Sequence, residues 1–149
     1  MHELQHTPEH VMQYAKEGRL EEWIHAFLLG PGNNEGLSTG LRLQERFWIG
    51  PLELPLSRLS PAAGPDEGYE YVMPRDPWER RVSCMQESLR EGWQAPPLIL
   101  SYGENGDLSI RDGNHRYWAL TREGVGSHWC IIWCNSEAEY REALVALGR

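Results

Sequence analysis

Apolar residues along this chain follow two rhythms. Leu20, Trp23, Ile24, Phe27 and Leu28 recur at three- and four-residue spacing, as do Trp78, Val82, Met85 and Leu89, and that period predicts helices with one buried stripe. A shorter stripe, Val11, Tyr14 and Ala15, follows Thr7-Pro8, a capping residue and a proline suited to a first helical turn, and Gly18 separates this helix from the next. Pro77 to Gly92 is expected to be helical with Asp76 as its cap. Ser136-Glu137-Ala138-Glu139 has capping-box spacing ahead of Tyr140, Ala143, Leu144 and Leu147.

The second rhythm is that of strands. Phe47-Trp48-Ile49 and Leu52-Glu53-Leu54 read as one strand that Pro51 and Pro55 interrupt or confine to a sheet edge. Asn105-Gly106 is a turn signal between Leu98–Tyr102 and Leu108–Arg111, which predicts a β-hairpin. A helix from Asn114 to about Glu123 ends at Gly124, and His128 to Cys134 is a further strand. Its alternation puts Cys130, Ile132 and Cys134 on one face and Trp129, Ile131 and Trp133 on the other. Gly30 to Gly36 is a loop, and Ser60 to Pro77, rich in Pro and Gly, is a longer one in which Tyr69 to Val72 can pair briefly. A stretch of that length is a candidate lid. Strands and helices mix without strict βαβ alternation, so the expected class is α+β: a small mixed β-sheet with flanking helices, a C-terminal helix and an N-terminal helical extension. The expected organisation is one globular unit, residues 1–45 packing on a core of residues 46–149.

Charge narrows the partners. A net charge of −8 disfavours broad electrostatic capture of nucleic acid or anionic membrane, since neutralisation of phosphates by Lys and Arg dominates such binding. Lys16 is the only lysine, and arginine suits bidentate contacts to phosphate or carboxylate. No apolar run approaches a membrane span, and the first residues lack the basic and apolar segments of a signal peptide, so a cytoplasmic location is expected. Cys84, Cys130 and Cys134 form no CxxC pair and read as buried structural thiols. His2, His6 and His10 have ligand-like spacing, but Pro8 argues against one helix through them. His25 and His128 sit in apolar runs and read as structural, and Glu21-Glu22 as a solvated helix face.

The richest segment is Ile110-Arg111-Asp112-Gly113-Asn114-His115-Arg116-Tyr117-Trp118-Ala119, where a strand meets a helix through a turn. A helix N-terminus offers free N–H groups and partial positive charge, a natural seat for an oxyanion. Gly113 can take positive φ and let a ligand approach the backbone. Asn114 is a favoured cap, and His115 and Arg116 can add charge-assisted bonds. Asp112, beside a phosphate, would hold Mg²⁺, accept a substrate proton, or turn away to pin the loop. Without a ligand, the same letters describe an ordinary Asp-Gly-Asn turn with a core histidine.

Pro96-Pro97-Leu98-Ile99-Leu100, Leu108 to Leu120 and Trp129-Cys130-Ile131-Ile132-Trp133 together resemble the ParB/sulfiredoxin superfamily, as does Pro51 to Leu59, so the resemblance spans about residues 50–134. It implies that Gly113, Asn114, His115 and Arg116 bind the phosphates of a nucleotide such as ATP, ADP or CTP. It further implies that a basic residue on the preceding helix, Arg81 with Arg80 as rival, reaches the same phosphates. Asn114 stands where sulfiredoxins carry their reactive cysteine, so sulfinic-acid reduction is not expected. Only 15 residues follow Cys134, so a partition-type helix-turn-helix domain is not expected after it.

The leading expectation is therefore a Mg²⁺-dependent phosphotransferase or nucleoside triphosphatase with a small-molecule acceptor. In it Asp112 is metal ligand or base, His115 shares the catalytic role, and Glu35, Glu53 and Glu79 are weaker candidate bases. The alternative is a nucleotide-gated binding module with Trp23, Phe27, Phe47 and Trp48 as candidate partner surface, although packing in the core is the commoner role for such residues. A ParB-like nuclease is the third reading, against which the net charge stands.

Overall fold

The computed structural model describes residues 5–149. Three helices come first: α1 (Pro8–Lys16), α2 (Leu20–Leu29) and α3 (Glu35–Leu41). They are followed by β1 (Phe47–Pro55), β2 (Leu59–Pro61), β3 (Ala63–Gly64), β4 (Tyr71–Val72), α4 (Arg75–Arg90), β5 (Leu98–Tyr102), β6 (Leu108–Asp112), α5 (Asn114–Arg122), β7 (Ser127–Cys134) and α6 (Glu137–Ala146). The main sheet runs in the order β1-β7-β5-β6-β2, with β1/β7 and β5/β6 antiparallel and β5/β7 and β2/β6 parallel. The class is α+β, as the sequence pattern predicts.

β5 and β7 alternate between two covered faces, which is why their sequences read as nearly unbroken apolar runs. Leu98, Leu100, Ile110, Cys130, Ile132 and Cys134 point to one side, where Leu120 of α5 and Ala143 of α6 meet them. Ile99, Ile131 and Trp133 point to the other, against Val11, Trp23, Ile24, Phe27, Leu28 and Leu41 of α1 to α3. The chain is thus layered as helices, sheet, helices.

Several local expectations meet a physical answer here. β1 lies at a sheet edge, where the missing N–H groups of Pro51 and Pro55 are tolerated, and its pairing with β7 shifts register between Ile49 and Leu52. Asn105 and Gly106 both take positive φ, 60° and 76°, and the β5–β6 hairpin forms around them. Gly18, at φ 71°, divides α1 from α2. The cap of α4 is Pro74 rather than Asp76, which lies in the first turn, so the helix begins earlier than expected. α3 is an addition: its stripe, Leu37 and Leu41, is too short to stand out, and Asn34 starts it by accepting a hydrogen bond from the Leu37 amide at 3.3 Å.

Trp23 and Phe27 stack in the core with ring centroids 5.0 Å apart, and Phe47 and Trp48 are half-buried against Tyr140 and Trp133. None of the four offers an open partner surface. Cys130 and Cys134 are buried, and burial pushes their thiols up to about 12 and about 11, so both are inert at neutral pH; Cys84 is exposed, contrary to expectation. His25 is buried and shares a 2.7 Å hydrogen bond between its Nδ1 and Ser38 Oγ. His2 lies outside the described residues, while His6 pairs through Nε2 with the Gln94 carbonyl and His10 packs on the Tyr14 ring. Among the described residues no group of three or more potential ligands could hold a metal, and no helix is long and apolar enough to cross a membrane.

Because both faces of β7 are covered, Ile131→Ala and Ile132→Ala should each lose about 2–5 kcal/mol of stability in urea unfolding, within one transition. A loss confined to Ile132→Ala would show that α1 to α3 contribute nothing to the cooperative unit.

Candidate functional site

The turn between β6 and α5 is built around one glycine. Gly113 has φ 107°, and a Cβ there would lie 2.6 Å from Leu98 Cδ2 and 2.8 Å from an Arg116 guanidinium nitrogen. Only glycine fits both the conformation and the space. Gly113 is also the N-cap of α5, so Asn114 is the first helical residue and not the cap. No side chain caps this end, and the first intrahelical bond runs from the Tyr117 amide to the Gly113 carbonyl at 2.8 Å. The amides of Asn114, His115 and Arg116 are therefore the open donors of the terminus.

The Asn114 side chain has a different task. Its Oδ1 accepts from the amides of Ala62 and Ala63 at 2.8 and 3.2 Å, and its Nδ2 donates to the Ile110 carbonyl at 3.1 Å. It fastens the start of the 60–77 segment to the turn. Further contacts hold that segment in place, since Tyr69 meets Trp118 edge-on at 6.2 Å and Arg75 pairs with Asp66 and Glu79.

Beneath the turn, Asp112 and Arg116 form a buried pair, 7% and 8% exposed, with nitrogen and oxygen 3.3 Å apart. Asp112 Oδ1 accepts from Asn34 Nδ2 at 2.8 Å, and Arg116 donates to the Pro97 carbonyl at 2.9 Å. Burial lowers the Arg116 pKa from its ordinary value while Asp112 opposes the shift. Phe27 lies under the guanidinium, 5.6 Å from ring centroid to Cζ. Both Asp112 oxygens are thus engaged, and Arg116 does not line the open cleft. Of the roles considered for Asp112, pinning the loop is the one its contacts describe.

The cleft itself, about 200 Å³, lies in front of Gly113, Asn114 and His115 and is bordered by Arg81, Arg111, Ala63, Met73, Trp78 and the loop from Gly32 to Asn34. Arg81 borders it and Arg80 does not. Among the described residues Arg81 has no hydrogen bond or ion-pair partner, although α4 and α5 are tied together nearby by Glu79 and Arg122 at 2.7 Å. His115 packs against Trp78 with centroids 4.1 Å apart. Burial, then Arg81 and Arg116, lower its pKa from 6.5 to about 4, so the imidazole is neutral at pH 7. Asp112 is the only carboxylate among the lining residues. Glu79 is bound to Arg122, Glu53 to Ser127 Oγ, and neither these nor Glu35 borders the cleft.

Asn34, Trp78 and Arg111 were not among the expected site residues. Asn34 reaches the site from a segment 78 positions away, and its Gly-Asn-Asn loop signals a turn but no destination. Arg111 lies next to the turn in sequence, and strand alternation alone does not say whether it faces the cleft. Trp78 reads as part of a helical stripe, which it is, and its ring nevertheless forms one wall.

The molecule is therefore an α+β protein whose uncapped helix N-terminus opens on a cationic cleft. No protein-family model matches the chain, and no curated protein matches it. Among solved structures it is similar to sulfiredoxin from Arabidopsis thaliana, at 22% identity and TM-score 0.42, over 66% of this chain and 97% of that one. It is also similar to a Pnob8-like ParB-N domain, at 18% identity and TM-score 0.45, over 70% of this chain and 37% of the other. A third is the C-terminally truncated chromosome-partitioning protein ParB from Caulobacter crescentus complexed with CTP-gamma-S, at 19% identity and TM-score 0.39, over 66% and 53%. The likeness is partial in identity and in superposition, and it says nothing of what this chain binds.

Two measurements check this geometry. Gly113→Ala should cost about 1–3 kcal/mol in urea unfolding, from positive φ together with the crowding against Leu98; a neutral effect would contradict the turn as described. For His115 the folded pKa near 4 lies below the unfolded value near 6.5, so the unfolded chain takes up its proton first as pH falls. Its contribution is present above pH 6.5 and lost as pH falls towards 4. His115→Gln should flatten, without abolishing, the fall in urea midpoint between pH 7 and 4, because His25 and His128 are also held below their ordinary values by burial.

Proposed function

We propose that the cleft binds the phosphate chain of a nucleotide: ATP, ADP or CTP. One observation carries this reading: the uncapped first turn of α5, entered through a glycine that admits no Cβ, opens between two arginines, Arg81 and Arg111. A nucleotide is favoured over a bare phosphate because an adjoining hollow shares Met73, Trp78, Arg81 and His115 with the cleft. Pro74 and Pro77 add to its apolar lining, which suits a base or sugar. Asn114, His115 and Arg116 supply backbone amides behind Gly113, Arg81 supplies charge, and the Arg116 side chain supports the turn from beneath.

Asp112 is a poor seat for Mg²⁺, since it is buried beside the Arg116 guanidinium and each of its oxygens already accepts a hydrogen bond. The ion would come with the nucleotide, coordinated by phosphates and water. A phosphotransferase or triphosphatase also needs a group to receive a proton from the attacking hydroxyl or water. Asp112 is committed elsewhere, and His115 is neutral but, with its low pKa, a weak base at pH 7. These two facts favour a nucleotide-gated binding module over a catalyst.

Isothermal titration with ATP, ADP, CTP and GTP, each with and without Mg²⁺, tests the binding. Arg81→Ala should weaken the nucleotide that binds by about tenfold, the loss of one charge-assisted contact. No heat from any of the four at millimolar concentration would sink the proposal. Phosphate release measured on the same samples separates the two readings: turnover would make the protein an enzyme, and binding without turnover a switch.

A further inference from the structure

One of the cleft's two arginines already carries a counter-ion. Arg111, at the end of β6, borders it, and its guanidinium is taken by Glu70, with NH1 donating to Oε2 at 2.7 Å and NH2 to Oε1 at 3.4 Å. Glu70 precedes β4, in the segment that Asn114 fastens to the turn through the amides of Ala62 and Ala63. Arg111 Nε lies 3.3 Å from Ser101 Oγ, which anchors the guanidinium from the side of β5. Arg111 is well covered, with 28% of its side chain exposed, while Glu70 is half open at 51%. The pair therefore has a fixed cation and a releasable carboxylate. An exposed ion pair contributes little to stability, so Glu70 can leave at small cost if a stronger anion arrives. The carboxylate is held below its ordinary pKa by Arg111 and then by Tyr71, so it carries its charge at neutral pH.

The geometry points to a latch: Glu70 occupies Arg111 as a resident counter-ion, and a ligand phosphate entering the cleft displaces it, so that Arg111 becomes a second phosphate-binding residue and the segment around β4 is released from β6. This rests on the phosphate reading of the cleft and adds its regulation. A carboxylate and a phosphate cannot share one side of a guanidinium without like-charge repulsion, so anion binding and closure of the latch oppose one another. The opposition is reciprocal, since whatever holds Glu70 on Arg111 weakens the ligand by the same factor by which the ligand weakens the latch. The segment that would be freed carries Tyr71, Val72 and Met73, three consecutive exposed apolar side chains, so its release changes the surface the protein presents.

Titration with ATP in Mg²⁺, followed by hydrogen exchange over residues 62–73, tests the latch in the full chain. Glu70→Gln should bind ATP about three- to tenfold more tightly than wild type and exchange faster over residues 62–73 without ligand. Glu67→Gln, which removes one negative charge from the same segment without touching Arg111, should do neither. Arg111→Gln should weaken ATP, and adding Glu70→Gln to it should bring no further gain. If wild type binds ATP and Glu70→Gln binds it equally, or if Glu67→Gln tightens binding as much, the latch is overturned and the phosphate site stands. If wild type binds no ATP and no inorganic pyrophosphate, the phosphate site falls and the latch with it.

Discussion

The buried pair of Asp112 and Arg116 is the contact on which the rest of this site depends. It joins the last residue of β6 to the first turn of α5, and through Asn34 and the Pro97 carbonyl it also fixes the α2–α3 loop and the chain entering β5. A buried pair is not by itself a source of stability, because desolvation offsets its attraction; removing one partner, however, strands a charge and costs about 3–5 kcal/mol. That asymmetry makes the pair a positioning device. It also sets what Asp112 touches, because each of its oxygens already accepts a hydrogen bond, one from Asn34 and one from Arg116.

Above this pair, the positive elements of the cleft remain available. The amides of the α5 terminus have no cap, Arg81 has no partner among the described residues, and Arg111 is balanced only by a half-exposed glutamate. A net charge of −8 over the whole chain coexists with this local cationic surface, so any attraction of an anion is short-range and specific to the cleft. Trp78 and His115 form a wall that is partly apolar and neutral at pH 7, which limits the site to what the amides and guanidinium groups can hold.

The two-sided sheet explains why the site sits where it does. With β5 and β7 covered by α1 to α3 on one face and by α5 and α6 on the other, the open ground is around β6, whose Arg111 faces the cleft, and at its end, where it turns into α5. The N-terminal helices are more than a covering layer, since the loop joining α2 to α3 supplies Asn34 to Asp112. The 60–77 stretch supplies the opposite rim, held by Asn114, by the Tyr69–Trp118 contact and by Glu70 on Arg111.

Periods of 3.6 and 2, the glycine of the β6–α5 turn and the Asn-Gly hairpin are local properties, so most of the helices, the longer strands, the α+β class and the turn from β6 into α5 could be read from the sequence, while the short α3 could not. Even the faces of β7 were legible, because alternation alone sets them. Local reading failed where a side chain chose between neighbours: Asn114 has the chemistry of a cap, but the amides of Ala62 and Ala63, 52 and 51 residues away, take its oxygen and leave the capping place to Gly113. Asp112 likewise had several partners open to it in the sequence, and packing brings it Asn34 and Arg116. The sequence determined which backbone conformations were cheap; the tertiary structure decided which polar groups were left without partners, because hydrogen bonds between distant segments are set by packing and not by order along the chain.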